Sequence, residues 1–168
     1  MNHLYHRVPM NMQGKILYPL NELKDLYPDL YEAHKKKYIG RQQIMQQKIL
    51  KLDCLWNDVL HFTAVHPSKI SQALGDNKKV KYFQIDASKL NSENSVIYLY
   101  SKQGSLGKEE FISYDPGILN KYSELPAATS EYYVKMKALN KNPLLFHLVP
   151  HILFKGSLDI SDSEIIEA

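Results

Sequence analysis

The 168-residue chain is 44% hydrophobic and 23% charged, close to average globular usage, which excludes a disordered, collagen-like or coiled-coil chain and fits one domain spanning 1–168. Its net charge of +3 conceals an asymmetry, because residues 1–50 hold eight Lys or Arg against four Asp or Glu while the remainder holds thirteen against fourteen. The single cysteine, Cys54, excludes an internal disulfide or a cysteine-built zinc site and fits a reducing, cytoplasmic setting; no apolar run reaches signal-peptide or membrane-span length, so no membrane partner is expected.

Leu4-Tyr5-His6-Arg7-Val8 reads as a strand stopped by Pro9. Asn21 is placed to cap a short helical turn, and Pro28 opens a second helix through Leu30, Tyr31, His34 and Tyr38 that Gly40 ends. Lys35-Lys36-Lys37 falls in its last turn, where cations complement the helix dipole, so a structural role alone explains the run. Residues 41–52 are Gln-rich with apolar positions at roughly helical spacing. Leu55 to Thr63 is a loop entering a strand, and Pro67 opens a short helix closed by Gly75. Val80–Asp86 and Ser95–Ser101 are strands, followed by Glu110–Tyr114. Ser130 caps a helix carrying Tyr133, Met136 and Leu139, and Leu144–Leu158 forms two strands broken at Pro150. The acidic residues 161–168 are expected to be a frayed tail. This order, strand, then helices, then mostly strands, predicts an α+β domain with a largely antiparallel sheet and helices concentrated in the N-terminal half.

Several chemical motifs fail on inspection. Gly104-Ser105-Leu106-Gly107-Lys108 is too short for a phosphate loop, and Glu109 stands where a Ser or Thr should hold magnesium. His147 and His151 have the four-residue spacing of helical zinc ligands, but Pro150 disfavours a helix, so they read as ordinary half-buried histidines and no metal is expected. Two stretches place polar, chemically capable side chains at strand ends: His6-Arg7, and Trp56-Asn57-Asp58 with His61, Thr63 and His66. That mixture of rings and a few donors suits a small-ligand cleft. In Glu109-Glu110-Phe111-Ile112, alternation puts the two glutamates on opposite faces of a strand.

Tyr5-His6-Arg7-Val8 with the following Gly14-Lys15-Ile16-Leu17-Tyr18-Pro19, then Val59 to Pro67, then Glu110-Phe111-Ile112-Ser113, together resemble the ADP-ribosyltransferase superfamily, most of all its DarT-type branch of DNA-modifying toxins. Val65 and His66 stand where that branch has an arginine and a serine. The resemblance implies a split-sheet fold and NAD as substrate. Glu110, with Glu109 as fallback, would bond the ribose 2′-hydroxyl and stabilise the sugar cation formed as nicotinamide leaves. His6 would hold a ribose or the nicotinamide amide, Arg7 or Arg41 the diphosphate, and Tyr18 and Trp56 the nicotinamide ring. Asn57, His61 and Thr63 complete the expected cofactor-binding set. The acceptor would be a nucleic acid or a protein. Two competing functions use the same cleft: a non-catalytic binding or regulatory module, and a metal-free nuclease in which His6, His61 or His66 acts as acid and base.

Overall fold

The computed structural model describes residues 2–100 and 110–168. The N-terminal half contains β1 (His3–Arg7), β2 (Ile16–Leu17), α1 (Leu20–Leu26), α2 (Pro28–Lys35), β3 (Lys48–Ile49), β4 (Cys54–Leu55), β5 (Val59–Phe62) and α3 (Pro67–Leu74). It continues with β6 (Lys81–Asp86), β7 (Ser95–Leu99), β8 (Glu110–Ser113), α4 (Ala127–Ala138), β9 (His151–Lys155), β10 (Leu158–Asp159) and β11 (Glu164–Glu167). Between α2 and β5 the chain runs through tight 3₁₀ turns rather than a continued helix.

Among the described residues every strand pairing is antiparallel. β1–β6–β11 form one sheet and β5–β9–β7–β8 another. A single bridge joins them: Tyr5 N–H donates to the Thr63 carbonyl at 2.8 Å and Thr63 N–H to the Tyr5 carbonyl at 3.1 Å. The chain is thus an α+β fold whose antiparallel sheet is split between β1 and β5.

Register decides what each face carries. His61 lies opposite Leu153, Tyr98 opposite His151 and Phe111 opposite Tyr98, so alternation puts His61, His151, Tyr98 and Phe111 on one face. That face packs under α1 and α2 through Leu20, Tyr31, Tyr38, Trp56, Val96 and Leu153. Phe62, Ile97, Ile152 and Phe154 point the other way, into a second core with Leu4, Phe83 and Ile85. α3 forms as its sequence dictates: Pro67 pre-sets the first turn, the His66 ring accepts from Ser68 N–H at 3.2 Å, and Gly75 closes it at φ 64°.

Four sequence expectations change. Asn21 does not cap α1, which opens after Pro19; its amide donates to Asp58 at 2.7 Å and ties the helix to the turn before β5. Ser130 lies inside α4, which starts after Pro126, whose carbonyl accepts from Thr129 and Ser130. At 12 residues, α4 is the one described α-helix of the C-terminal half; the other three lie in the N-terminal half, as expected. Residues 144–150 are a turn rather than a strand, with Leu148 in the left-handed region at φ 61°. Residues 161–168 are not frayed: β11 pairs with β6, Val80 and Ala168 exchange backbone hydrogen bonds, and Lys81 meets Glu167 at 3.6 Å. The outward glutamates concealed an edge strand. Ending the chain at Ser163 removes this ladder, and the melting temperature is expected to fall by roughly 5–10 °C, from about 1 kcal/mol per lost hydrogen bond; an unchanged melting temperature would contradict the pairing. No described helix is long and apolar enough to cross a membrane.

Candidate functional site

β1, β5 and β9, together with the 3₁₀ turn after α2, bring His6, His61, His151 and Lys37 into one electrostatic neighbourhood. His6 sits at the split, its ring centre 5.5 Å from that of Phe62. His61 and His151 stand on adjacent strands with centroids 5.7 Å apart and rings perpendicular. Behind them Trp56 lies 4.8 Å from His61 and 5.2 Å from Tyr98.

Each of these histidines is bonded to a backbone carbonyl. His6 Nδ1 lies 2.7 Å from the Arg7 carbonyl, His61 Nε2 3.2 Å from that of Trp56, and His151 Nδ1 2.7 Å from that of Val149. A carbonyl only accepts, so those nitrogens carry the proton and donate. The other nitrogen of each ring is left as an acceptor while the imidazole is neutral. Burial keeps them neutral: it pushes His6 and His151 down to about 4, and His61 falls well below its usual range through burial and then the charges of His151 and Lys37. Lys37 is drawn down too, by desolvation first and then by Arg41 and Arg7, although its side chain remains exposed. With Lys37 exposed and His6 and His61 half-buried, these groups form one basic surface site, hereafter the recess.

The recess has no described counter-charge. Arg7, Lys37 and Arg41 make no ion pair with a described residue. The charges that reach His6, His61, His151 and Lys37 come from lysine, arginine and histidine. Arg41 donates to the Lys37 carbonyl and its guanidinium lies 6.0 Å from the Tyr38 ring centre. It also acts on His147, which rests 4.1 Å from the Tyr132 ring. The Thr129 hydroxyl donates to the His147 carbonyl at 3.0 Å, fixing the turn that contains Leu148.

The structure sorts the expected site residues. His6, Arg7, Arg41 and His61 belong to the recess. Trp56 is buried beneath the imidazoles rather than open for stacking on a ligand. Thr63 is buried, its hydroxyl accepting from Val65 N–H at 3.0 Å. Asn57 is buried, its amide nitrogen and oxygen both without a hydrogen-bond partner among the described residues. Tyr18 pairs with Tyr27 at 6.2 Å. Glu109 lies outside the described residues. Glu110 is exposed on the edge strand β8, opposite Leu99, and β7, β9 and β5 separate its strand from β1. At ~4.8 Å per strand that is about 19 Å across the sheet, so Glu110 and His6 are not brought together. Sequence reasoning missed Lys37, assigned to a helix end, and His147 and His151, set aside as ordinary histidines. The signal for His151 is the strand register, which spacing along the chain does not reveal.

A separate hollow of about 210 Å³ is lined in part by Tyr5, His66, Lys69 and Asn120. Its cation is already satisfied, Lys69 meeting Glu124 and Ser123, so the recess, whose cations make no ion pair among the described residues, is the stronger chemical indication. Among the described residues no group of three or more His, Cys, Asp or Glu is placed to hold a metal ion. No family model, curated protein or solved structure matches the chain.

Proposed function

We propose that the chain is a nucleotide-binding module whose recess takes the diphosphate of NAD or a chemically similar nucleotide. The observation that supports this reading is the set of cations Arg7, Lys37 and Arg41, which make no ion pair among the described residues, beside neutral imidazoles that each keep an acceptor nitrogen. Lys37 and Arg41 would take the phosphates by charge-assisted hydrogen bonds, and the free nitrogen of His6 or His61 would accept from a ribose hydroxyl. Binding requires no carboxylate, whereas ADP-ribosyl transfer to a nucleic acid or protein would require Glu110 to reach the ribose from β8. Binding is therefore the favoured version.

At 100-fold excess over its dissociation constant, ADP-ribose or NAD should stabilise the protein by about 2.7 kcal/mol, raising the melting temperature by roughly 5–10 °C. Lys37→Ala or Arg41→Ala should weaken that binding tenfold or more. Absence of any shift with both nucleotides at millimolar concentration would refute the reading. Release of nicotinamide from NAD that disappears in Glu110→Gln would return the transferase. The grouping of Lys37 with His6 and His61 also favours, as a second reading, metal-free phosphodiester cleavage. Incubation of labelled RNA with EDTA tests it directly, since cleavage lost in His61→Ala would establish it.

A further inference from the structure

From the hollow of about 210 Å³ at the split of the sheet we infer that the chain carries a second site, which takes an uncharged six-membered lactam ring of the pyrimidine-base type. The hollow lies beside the bridge between Tyr5 and Thr63, and Tyr5, Ala64, His66, Lys69, Leu119 and Asn120 line it in part. Tyr5 and His6 are neighbours in β1, so alternation points Tyr5 away from the recess. The two sites are therefore separate, and the hollow does not rest on the nucleotide-binding reading.

Size, charge and unused hydrogen-bonding groups select the occupant. A cavity of roughly 150 Å³ holds benzene, so this one suits a single ring with small substituents. Buried Ala64 and Leu119, with the Tyr5 and His66 rings at 5.1 Å between centres, give it apolar walls. An anion meets no free charge there, because the Lys69 ammonium bonds the Glu124 carboxylate at 2.6 Å and the Ser123 carbonyl at 3.1 Å. Three neutral polar groups remain. Tyr5 is 6% exposed, and its hydroxyl bonds no described residue yet is not sealed from the surface, so the space it reaches is the hollow. His66 Nδ1 accepts from Ser68 N–H at 3.2 Å, which leaves the proton of the neutral ring on Nε2 as a donor. The Asn120 side chain is exposed and bonds no described residue. Its adjacent donor and acceptor match the N–H and C=O of a lactam edge, as asparagine matches the edge of a base. A lactam ring gives all three groups a partner, whereas a hydrocarbon ring gives them none.

The experiment titrates uracil, benzoate and dimethyluracil, methylated at both ring nitrogens, into the isotope-labelled full chain and follows backbone amide signals by NMR. Uracil at millimolar concentration is expected to shift Ala64, His66 and Asn120 while leaving His151 in the recess unmoved. It should bind about fivefold more tightly than either analogue, the effect of roughly one hydrogen bond. Tyr5→Phe, which removes a single oxygen, and Asn120→Ala, at an exposed position, should each weaken uracil by a similar factor. No shift at the three residues with millimolar uracil would overturn the site. Benzoate or dimethyluracil binding as tightly as uracil, or uracil affinity unchanged in both variants, would overturn the lactam assignment. Either result leaves nucleotide binding in the recess standing, since no residue of the recess takes part.

Discussion

Lowering the pH from 7 to 4.5 is expected to destabilise the protein by several kcal/mol, more than most single substitutions. An unfolded histidine takes up its proton near pH 6.5, whereas folded His6 and His151 hold theirs only near pH 4. Between those values the unfolded state binds more protons, so stability falls as pH falls and the loss levels off below about pH 4. His151 is buried, and its shift corresponds to about 3 kcal/mol; His6 keeps an accessible ring edge and contributes less. His61, shifted in the same direction, adds to the loss. The carboxylates with lowered values, Asp86 and Asp159, hold their stabilisation until pH drops below the usual carboxylate range, so they do not offset this window. Urea midpoints at pH 7, 5.5 and 4.5 measure the slope. His151→Phe, which keeps a ring among Trp56, Tyr98 and Tyr100, should flatten it, and a wild-type curve already flat from pH 7 to 4.5 would contradict the buried neutral cluster. Nucleotide affinity, by contrast, should stay level between pH 7.5 and 6, because His6 and His151 remain neutral there and keep their acceptor nitrogens.

Local signals in the sequence were sufficient where one residue type has one conformational effect. Pro67 and Gly75 delimit α3 because proline fixes φ and glycine tolerates φ 64°. The strands around Tyr82, Val96 and Phe111 were legible from their β-branched and aromatic runs. The acidic tail was misread because an edge strand shows only half its side chains to the core, and here Ile166 is flanked by Glu164, Ile165 and Glu167, all exposed. The site was legible in part, for a different reason. His6 and His61 lie on strands whose ends were recognisable, so they could be singled out one at a time. That His151, rather than Glu110, stands beside His61 depends on β9 inserting between β5 and β7. Such an insertion joins residues some ninety positions apart, and no periodicity along the chain encodes it. The tyrosines divide similarly: Tyr114 and Tyr133 are buried with hydroxyls donating to the carbonyls of Ala87 and Leu145, whereas Tyr132 supports His147 at the margin of the recess.

Trp56→Ala separates the sequence expectation from the structure most sharply. A tryptophan that stacks on a ligand is accessible, and its removal weakens binding with little loss of stability. Trp56 is instead 8% exposed, and it supports His61, His151 and Tyr98 from beneath. Removing a buried indole leaves a void that the surrounding sheet fills only in part, which costs about 3–5 kcal/mol. The melting temperature should therefore fall by roughly 10 °C or more. The effect extends to the chemistry of the recess. Water entering the void rehydrates the two imidazoles, and their pKa values should rise toward the ordinary histidine range, visible as a shift in their NMR titration. The His61 bond to the backbone carbonyl of residue 56 survives the substitution, so the tautomer is retained while the burial is lost. Trp56→Phe keeps a ring in place and should restore most of the stability. A stable Trp56→Ala protein with unshifted histidines and weakened nucleotide binding would instead return the indole to the role of a stacking platform.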